Sequence, residues 1–194
     1  MNAPDAMPVP SETARSIAGA LRFWRFDRAA VGVFDPSPAA ALRSFMAALY
    51  GLPFYAAVLA LDVWQSQHMP DDLWLYALVQ FIAYVTHTAG FPLAVLGLTR
   101  FLGHGAQWPL FVTAQNWFGL PQVVVLLLCV VVDRSGILGP IGGFILVAVQ
   151  FYSLAVEAFV SRVTLGVDAV AAFAIVLLDI VIGVGIDQVA ALLG

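Results

Sequence analysis

Polar side chains recur at helical spacing inside apolar stretches of this sequence that are long enough to cross a bilayer. Residues seven or eleven apart return to nearly the same angle on a helix with 3.6 residues per turn. Ionisable and amide groups in membrane helices turn away from lipid, so each pair predicts an inward-facing polar stripe. The pairs are Gln80 and His87, Gln115 and Gln122, Gln150 and Glu157, and Asp168 and Asp179.

Depth along the predicted helices brings four of these polar residues together. At about 1.5 Å per residue, His87, Gln150 and Asp179 lie roughly halfway across the membrane, and Asn116 lies slightly nearer one end. The four residues are therefore predicted to meet in one layer. A lone carboxylate in hydrocarbon costs a few kcal/mol or more. We therefore expect Asp179 to be protonated, paired with His87, or hydrated.

Two interpretations of this layer remain open. It can be a hydrogen-bonded network that clamps the helices together, or a proton or cation site with Asp179 as carrier and His87 as its partner. Glu157 and Asp168 lie closer to the end of the bundle where Arg100 and Arg162 are expected. The spacing predicts a belt of ion pairs among those four residues.

The elements that position these side chains follow from composition. Hydrophobic residues make up 62% of the 194 positions and charged residues only 10%, with a mean hydropathy of +0.95. A soluble domain carries about a quarter charged residues. The sequence predicts an all-α polytopic membrane helix bundle with about five transmembrane helices, at residues 39–63, 73–99, 108–132, 137–160 and 167–193.

The region before the first span is expected to differ from the rest. Residues 1–10 are predicted to be a disordered tail, and residues 11–35 an amphipathic cytoplasmic segment. Within that segment a short interfacial helix over 11–28 would place Ile17, Leu21 and Trp24 on one face, with neighbouring arginines reaching lipid phosphates. A partly ordered, solvated tail is the alternative. Residues 36–194 form the five-helix transmembrane domain.

Arginine placement predicts orientation. The chain has no lysine, and its cations are eight arginines. A cytoplasmic N-terminus puts seven of them on the cytoplasmic side and only Arg134 outside, in accord with the positive-inside rule. The C-terminus is then periplasmic. The alanine-rich, arginine-rich and lysine-free composition is typical of a high-GC bacterium, which predicts the inner membrane.

Glycine and proline interrupt the predicted helices in a pattern. Segments 51–53, 90–92 and 119–121 each hold a glycine followed two residues later by a proline. Each proline removes a backbone donor and should kink its helix, either as a packing adjustment or as a broken helix that lines a site. Gly139 and Gly143 form a small-xxx-small pair that allows close contact between helices, within the chain or between copies.

The sequence lacks the residues that several functional classes require. The sequence has no phosphate-binding glycine loop followed by lysine, no helix with two histidines at metal-ligand spacing and no serine elbow. It also has no basic run of the kind that binds nucleic acid. We expect no catalytic residues, no cofactor and no metal.

Three parts of the chain resemble the Yip (Ypt-interacting protein) domain family of membrane proteins, in its bacterial branch. They are residues 34–53, residues 98–105 with 116–121, and residues 152–157 with 162–169, so that the resemblance extends over about residues 34–192. It implies five helices, a cytoplasmic N-terminus and no enzyme activity. Eukaryotic members of the family are adaptors in vesicle traffic that bind small GTPases.

Two functional hypotheses follow. The first is a non-enzymatic integral membrane protein that acts as an adaptor or organiser of other membrane proteins or of further copies of itself, with the lipid bilayer as its constant partner. The alternative is a small proton-coupled transporter or channel that uses the Asp179 and His87 site at the membrane midplane.

Overall fold

A computed structural model describes residues 11–66 and 69–193, and within these ranges every regular element is a helix. The predicted all-α membrane helix bundle is confirmed. The predicted disordered tail, residues 1–10, lies outside the described residues. The α-helices are α1 (Glu12–Phe23), α2 (Pro38–Ser44), α3 (Met46–Ser66), α4 (Leu73–Phe101), α5 (Trp108–Arg134), α6 (Pro140–Leu165) and α7 (Ala169–Leu193), with 3-10 turns at Arg28–Val33 and Gly105–Gln107.

Five helical segments of the described chain are long and apolar enough to cross a membrane, as predicted. They are α2 with α3, then α4, α5, α6 and α7. The fourth span differs from its predicted end at residue 160. Arg162 sits in the last turn of α6 instead of in a loop, and Gly166, at φ +68°, ends the helix. A single exposed arginine near a helix end does not stop a helix, whereas a left-handed glycine does.

Helix α5 is the centre of the bundle, because it contacts α1, α2, α3, α4 and α6. Helix α7 completes the bundle by packing against α4 and α6. We call the half that carries α1 the proximal half and the other the distal half. An apolar cleft of about 580 Å³ lies between α3 and α4 in the distal half. The Tyr55 hydroxyl of α3 donates to Gln80 Oε1 of α4 at 3.3 Å and bridges the two helices.

Helix α1 is docked against the bundle and does not lie freely at the interface. Its buried residues are Ser16, Gly19, Ala20 and Phe23, whereas Leu21 is 52% exposed. The predicted apolar face is therefore wrong at Leu21, whereas Ile17 and Trp24 do pack against the buried core. Small side chains occupy three of the four buried positions, and Gly19 lets α1 approach Val33 and Phe34 closely. A search for large apolar residues overlooks such positions.

The turn after α1 is held by both charge and aromatic contacts. Arg22 Nε donates to Asp27 Oδ2 at 2.8 Å, and the Ala29 amide donates to Asp27 Oδ1 at 2.9 Å. Phe26 takes a left-handed backbone (φ +54°), which is costly for a bulky residue. Its ring packs edge-on against Tyr152 of α6, and the Tyr152 hydroxyl donates to the Trp24 carbonyl. These contacts offset the backbone strain.

Only half of the predicted helix contact through Gly139 and Gly143 is formed within the chain, since a Cβ at Gly143 would lie 3.5 Å from Asp133 Oδ1 of α5. Gly139 precedes α6 with φ +51°, and nothing lies within 4 Å of the point that a Cβ would occupy there. The close approach occurs at Gly142 instead, where a Cβ would come within 3.0 Å of the Asp133 Cα of α5. A left-handed backbone removes Gly139 from the helix, and the contact moves to the first buried glycine inside it.

Replacing Gly19 with leucine should release α1. A Cβ at Gly19 would come within 2.9 Å of the Phe34 ring, and overpacking of this kind costs about 1–3 kcal/mol. We expect trypsin to cleave purified protein in detergent after Arg15 and Arg22 roughly tenfold faster in the Gly19→Leu variant. Ala18→Leu is the matched control, because Ala18 is exposed. Equal cleavage of both variants would contradict the docking.

Acid should loosen the turn after α1. The hydrogen bonds from Arg22 and Ala29 lower the pKa of Asp27 below its ordinary value of 3.8. Because the folded pKa is depressed, Asp27 stabilises the turn above pH of about 4, and this contribution is lost as the pH falls through the folded pKa. Amide exchange at Ala29 and Ala30 should therefore accelerate below about pH 4, relative to Asp27→Asn at the same pH. Parallel profiles for the two proteins would count against this role of Asp27.

Candidate functional site

A polar cavity of about 260 Å³ lies in the middle of the bundle and is lined by α3, α4, α5, α6 and α7. Helices α4, α5 and α6 each turn several polar residues toward it, as polar groups in a membrane bundle are expected to do, whereas α7 contributes only Asp179 and α3 only alanine and glycine. The polar lining residues are Tyr84, His87, Thr88, Gln115, Asn116, Gln122, Gln150, Ser153, Glu157 and Asp179.

His87 and Asp179 form the one charged contact that crosses this cavity among the described residues. His87 Nε2 of α4 lies 3.1 Å from Asp179 Oδ1 of α7. Asp179 Oδ1 is nevertheless buried without a well-aligned hydrogen bond, so the contact is mainly electrostatic. The Phe91 ring stacks parallel to the imidazole, and Gly183, whose Cβ would lie 3.6 Å from His87 Nε2, leaves room for it. The imidazole is thus held on both sides.

Glu157 of α6 is the most deeply buried ionisable group of the cavity wall. It is 2% exposed, and its Oε1 atom has no hydrogen-bond partner. Ser153 and Gln150 lie one and two turns before it on the same helix face and line the same cavity. A buried carboxylate oxygen without a partner is costly, so its presence at a cavity wall needs an explanation.

The predicted belt of ion pairs among Glu157, Asp168, Arg100 and Arg162 is wrong. Glu157 faces the cavity, and Arg162, five residues later, is turned away by roughly 140° of helix rotation. Both arginines are exposed. Asp168 accepts the Ala171 amide at 2.8 Å and caps the first turn of α7. Depth along the helices did not predict the ion pairs, because it takes no account of the direction in which each side chain points.

The other two members of the predicted layer line the same cavity without touching Asp179. Asn116 Nδ2 donates to Ser44 Oγ at 2.8 Å, and Ser44 in turn donates to the Ala41 carbonyl at 2.7 Å. Asn116 therefore fastens α5 to the junction between α2 and α3. Gln150 lies on the wall of the cavity and is exposed. The layer is a cavity lining and not a closed ring of hydrogen bonds.

Gln115, Tyr84, Thr88 and Ser153 are cavity residues that the prediction of the layer omitted. Ser153 could have been found, because it lies between Gln150 and Glu157 on their stripe. Tyr84 could not, since its hydroxyl reaches the cavity only by crossing to α3, where it donates to the Ala48 carbonyl at 2.7 Å. From the sequence alone, a tyrosine at this position of α4 is equally compatible with a lipid-facing side chain.

The three glycine–proline motifs meet at the same cavity. Gly51, Pro92 and Gly119 all line it, on α3, α4 and α5, and each helix continues through its proline. A proline inside a helix leaves the carbonyl four residues earlier without its usual amide partner. The Trp108 indole donates to the carbonyl of Pro92 itself at 2.7 Å and so connects α4 to the start of α5.

Comparison of this chain with known protein families, with curated proteins and with solved structures finds no match. The resemblance to the Yip domain family therefore stays a prediction that rests on three stretches of sequence.

Proposed function

We propose that this multi-pass membrane protein moves protons across the membrane through its central cavity, as a small proton-linked transporter without enzyme activity. The observation that carries the proposal is Glu157, a 2% exposed carboxyl group with an unpartnered oxygen, in a cavity that also contains the Asp179–His87 pair. Ionisable groups inside a membrane bundle are costly and mark ion and proton pathways.

A purely structural network explains this arrangement less well. A network that only clamps helices is stabilising when every member has a partner, and a half-satisfied one is worse than an apolar core. Gln115 Oε1 and Glu157 Oε1 are buried without a hydrogen-bond partner, and both residues line one cavity. Unfilled acceptors around a cavity favour a transient occupant over a permanent clamp.

The proposal includes a location. The positive-inside rule puts the proximal half, with seven of the eight arginines, on the cytoplasmic side of a bacterial inner membrane. In that orientation Glu157 lies on the cytoplasmic side of Asp179. A proton then passes between Glu157 and the Asp179–His87 pair within one cavity.

The adaptor hypothesis, with its Yip-type partners, remains a prediction. It requires a surface that recognises another membrane protein, and it assigns no role to the ionisable groups of the cavity. The two hypotheses therefore predict different effects of a variant that folds but has no charge at Asp179: the transporter loses proton movement, and the adaptor does not depend on it.

Replacing Asp179 with asparagine should abolish proton movement. The test uses purified protein in liposomes that are acid inside and contain a pH-sensitive dye. Proton release is driven either by a potassium diffusion potential or by an added external solute (sodium, glycine or guanidinium). We expect the parent protein to release protons in at least one condition and Asp179→Asn to lower that rate at least tenfold, because an amide cannot carry the proton.

Asp187→Asn is the matched control for this experiment. Asp187 lies two turns beyond Asp179 on α7, is exposed and does not line the cavity, so its variant should keep the parent rate. Circular dichroism and size-exclusion elution in detergent verify that both variants fold. Proton release no faster than from protein-free liposomes in every condition, or an unchanged rate in Asp179→Asn, would refute the transporter and leave the adaptor.

A further inference from the structure

We propose that the cavity binds a small organic cation with N–H donors, of the guanidinium class, between Glu157 and Gln115, and exchanges it for a proton. This inference rests on the proposed function, and it names the class of substrate that the same cavity would take. Four properties of the cavity support it: its hydrogen-bonding capacity, its charge, its shape and the competition for Glu157.

The unfilled hydrogen-bonding capacity of the cavity consists of acceptors. Among the described residues, the buried polar atoms that line the cavity and lack both a hydrogen-bond partner and an ion-pair partner are Gln115 Oε1 and Glu157 Oε1, and both are acceptors. Such groups lose their hydration when the helices pack and gain nothing in return. A ligand that fills them must bring donors. Guanidinium and primary ammonium groups present several N–H donors and no acceptor.

The charge of the lining disfavours anions. The ionisable lining groups are two carboxyl groups, one imidazole and the Tyr84 phenol, and no arginine lines the cavity. When His87 balances Asp179, Glu157 still has no positive partner. An anionic solute such as a phosphate or carboxylate would face uncompensated repulsion here. The cavity therefore selects a cation.

The size and walls of the cavity suit a small planar ligand. The cavity, of about 260 Å³, is smaller than the roughly 300–1,000 Å³ typical of pockets for drug-sized ligands. Its wall includes aromatic rings, with Phe91 stacked on His87 and Tyr84 on the neighbouring turn. Planar cations with delocalised charge stack on aromatic faces and are more weakly hydrated than ammonium or sodium. A small planar cation is therefore favoured over a hydrated metal ion.

Proton and cation compete at Glu157. A bare carboxylate at a 2% exposed position is unfavourable, so a proton or a cation must accompany it. The carboxyl group of Glu157 cannot bind a proton and pair with a cation at the same time. Entry of the cation displaces the proton, and a proton taken up from the other side releases the cation. Charge at Glu157 is conserved in each exchange, and no further reactant is needed.

The experiment uses the full-length protein in acid-loaded liposomes with the same dye. External guanidinium chloride at low millimolar concentration should release internal protons in a saturable way, with matching uptake of labelled guanidinium. Tetramethylammonium has the same charge and no N–H donors, so it should release protons at least tenfold more slowly. Glu157→Gln should abolish the exchange. Gln115→Leu should raise the half-saturating guanidinium concentration roughly tenfold, because one charge-assisted hydrogen bond is lost.

Asp187→Asn again serves as the control, and circular dichroism reports whether Glu157→Gln folds. If Glu157→Gln does not fold, the Gln115→Leu variant and the comparison with tetramethylammonium test the proposal. Proton release that depends on Asp179 but does not respond to guanidinium would overturn this inference and leave the proposed function intact. Guanidinium uptake without proton release would instead overturn the proposed proton link. Equal rates for tetramethylammonium and guanidinium would refute the donor-bearing ligand.

Discussion

Hydrocarbon cannot hydrate a polar side chain, and this constraint shapes the interior of the bundle. The helices satisfy it in two ways. Some polar groups bond to a neighbouring backbone, as Tyr84 does with the Ala48 carbonyl and Trp108 with the Pro92 carbonyl. Others turn into one shared cavity, where His87 and Asp179 meet. Polar groups of the first kind join pairs of helices, and those of the second kind gather the functional chemistry at one place.

Helix α5 connects these two sets of contacts because it presents a different face to each. Trp117 and Phe118 face α1 and the aromatic residues around it, while Gln115 and Gly119 face the cavity. Contact between Trp24 and Phe118 lies ten residues into α5, about 15 Å from its start. Helix α1 therefore packs on a face of α5 other than the one that lines the cavity.

Sequence patterns predicted the five spans well because length and hydropathy decide them. Helical periodicity predicted two stripes correctly, because Gln115 with Gln122 and Gln150 with Glu157 line the cavity. The other two predicted stripes are wrong, because Gln80 lines the apolar cleft and Asp168 caps α7, and only His87 and Asp179 reach the cavity. Sequence patterns failed where the answer depends on the relative rotation of two helices. Glu157 and Arg162 lie five residues apart and face different ways, and the partner of Asn116 is Ser44, 72 residues earlier in the chain. Contacts of this kind follow from packing, which no single helix encodes.

The roles of small residues were the second feature that the sequence patterns failed to predict. Gly19 and Gly142 lie where neighbouring groups leave no room for a Cβ, whereas Gly139, part of the more familiar motif, lies outside α6 with a left-handed backbone. A glycine contributes no hydrophobic signal, so its role depends on what stands opposite it. The buried face of α1, formed by Ser16, Gly19, Ala20 and Phe23, is nearly invisible to a search for apolar stripes.

The cavity itself costs stability, and three of the helices that line it contain an internal proline. Replacing buried ionisable groups by apolar residues of similar volume is often neutral or stabilising in proteins, so Glu157 gives the fold no advantage that a leucine would lack. Pro53, Pro92 and Pro121 lie inside α3, α4 and α5, close to residues that line the cavity, and each removes one backbone hydrogen bond from its helix. The three proline-containing helices and the unpartnered carboxyl group of Glu157 thus surround one cavity, and each of them costs stability that a fully packed apolar core would keep.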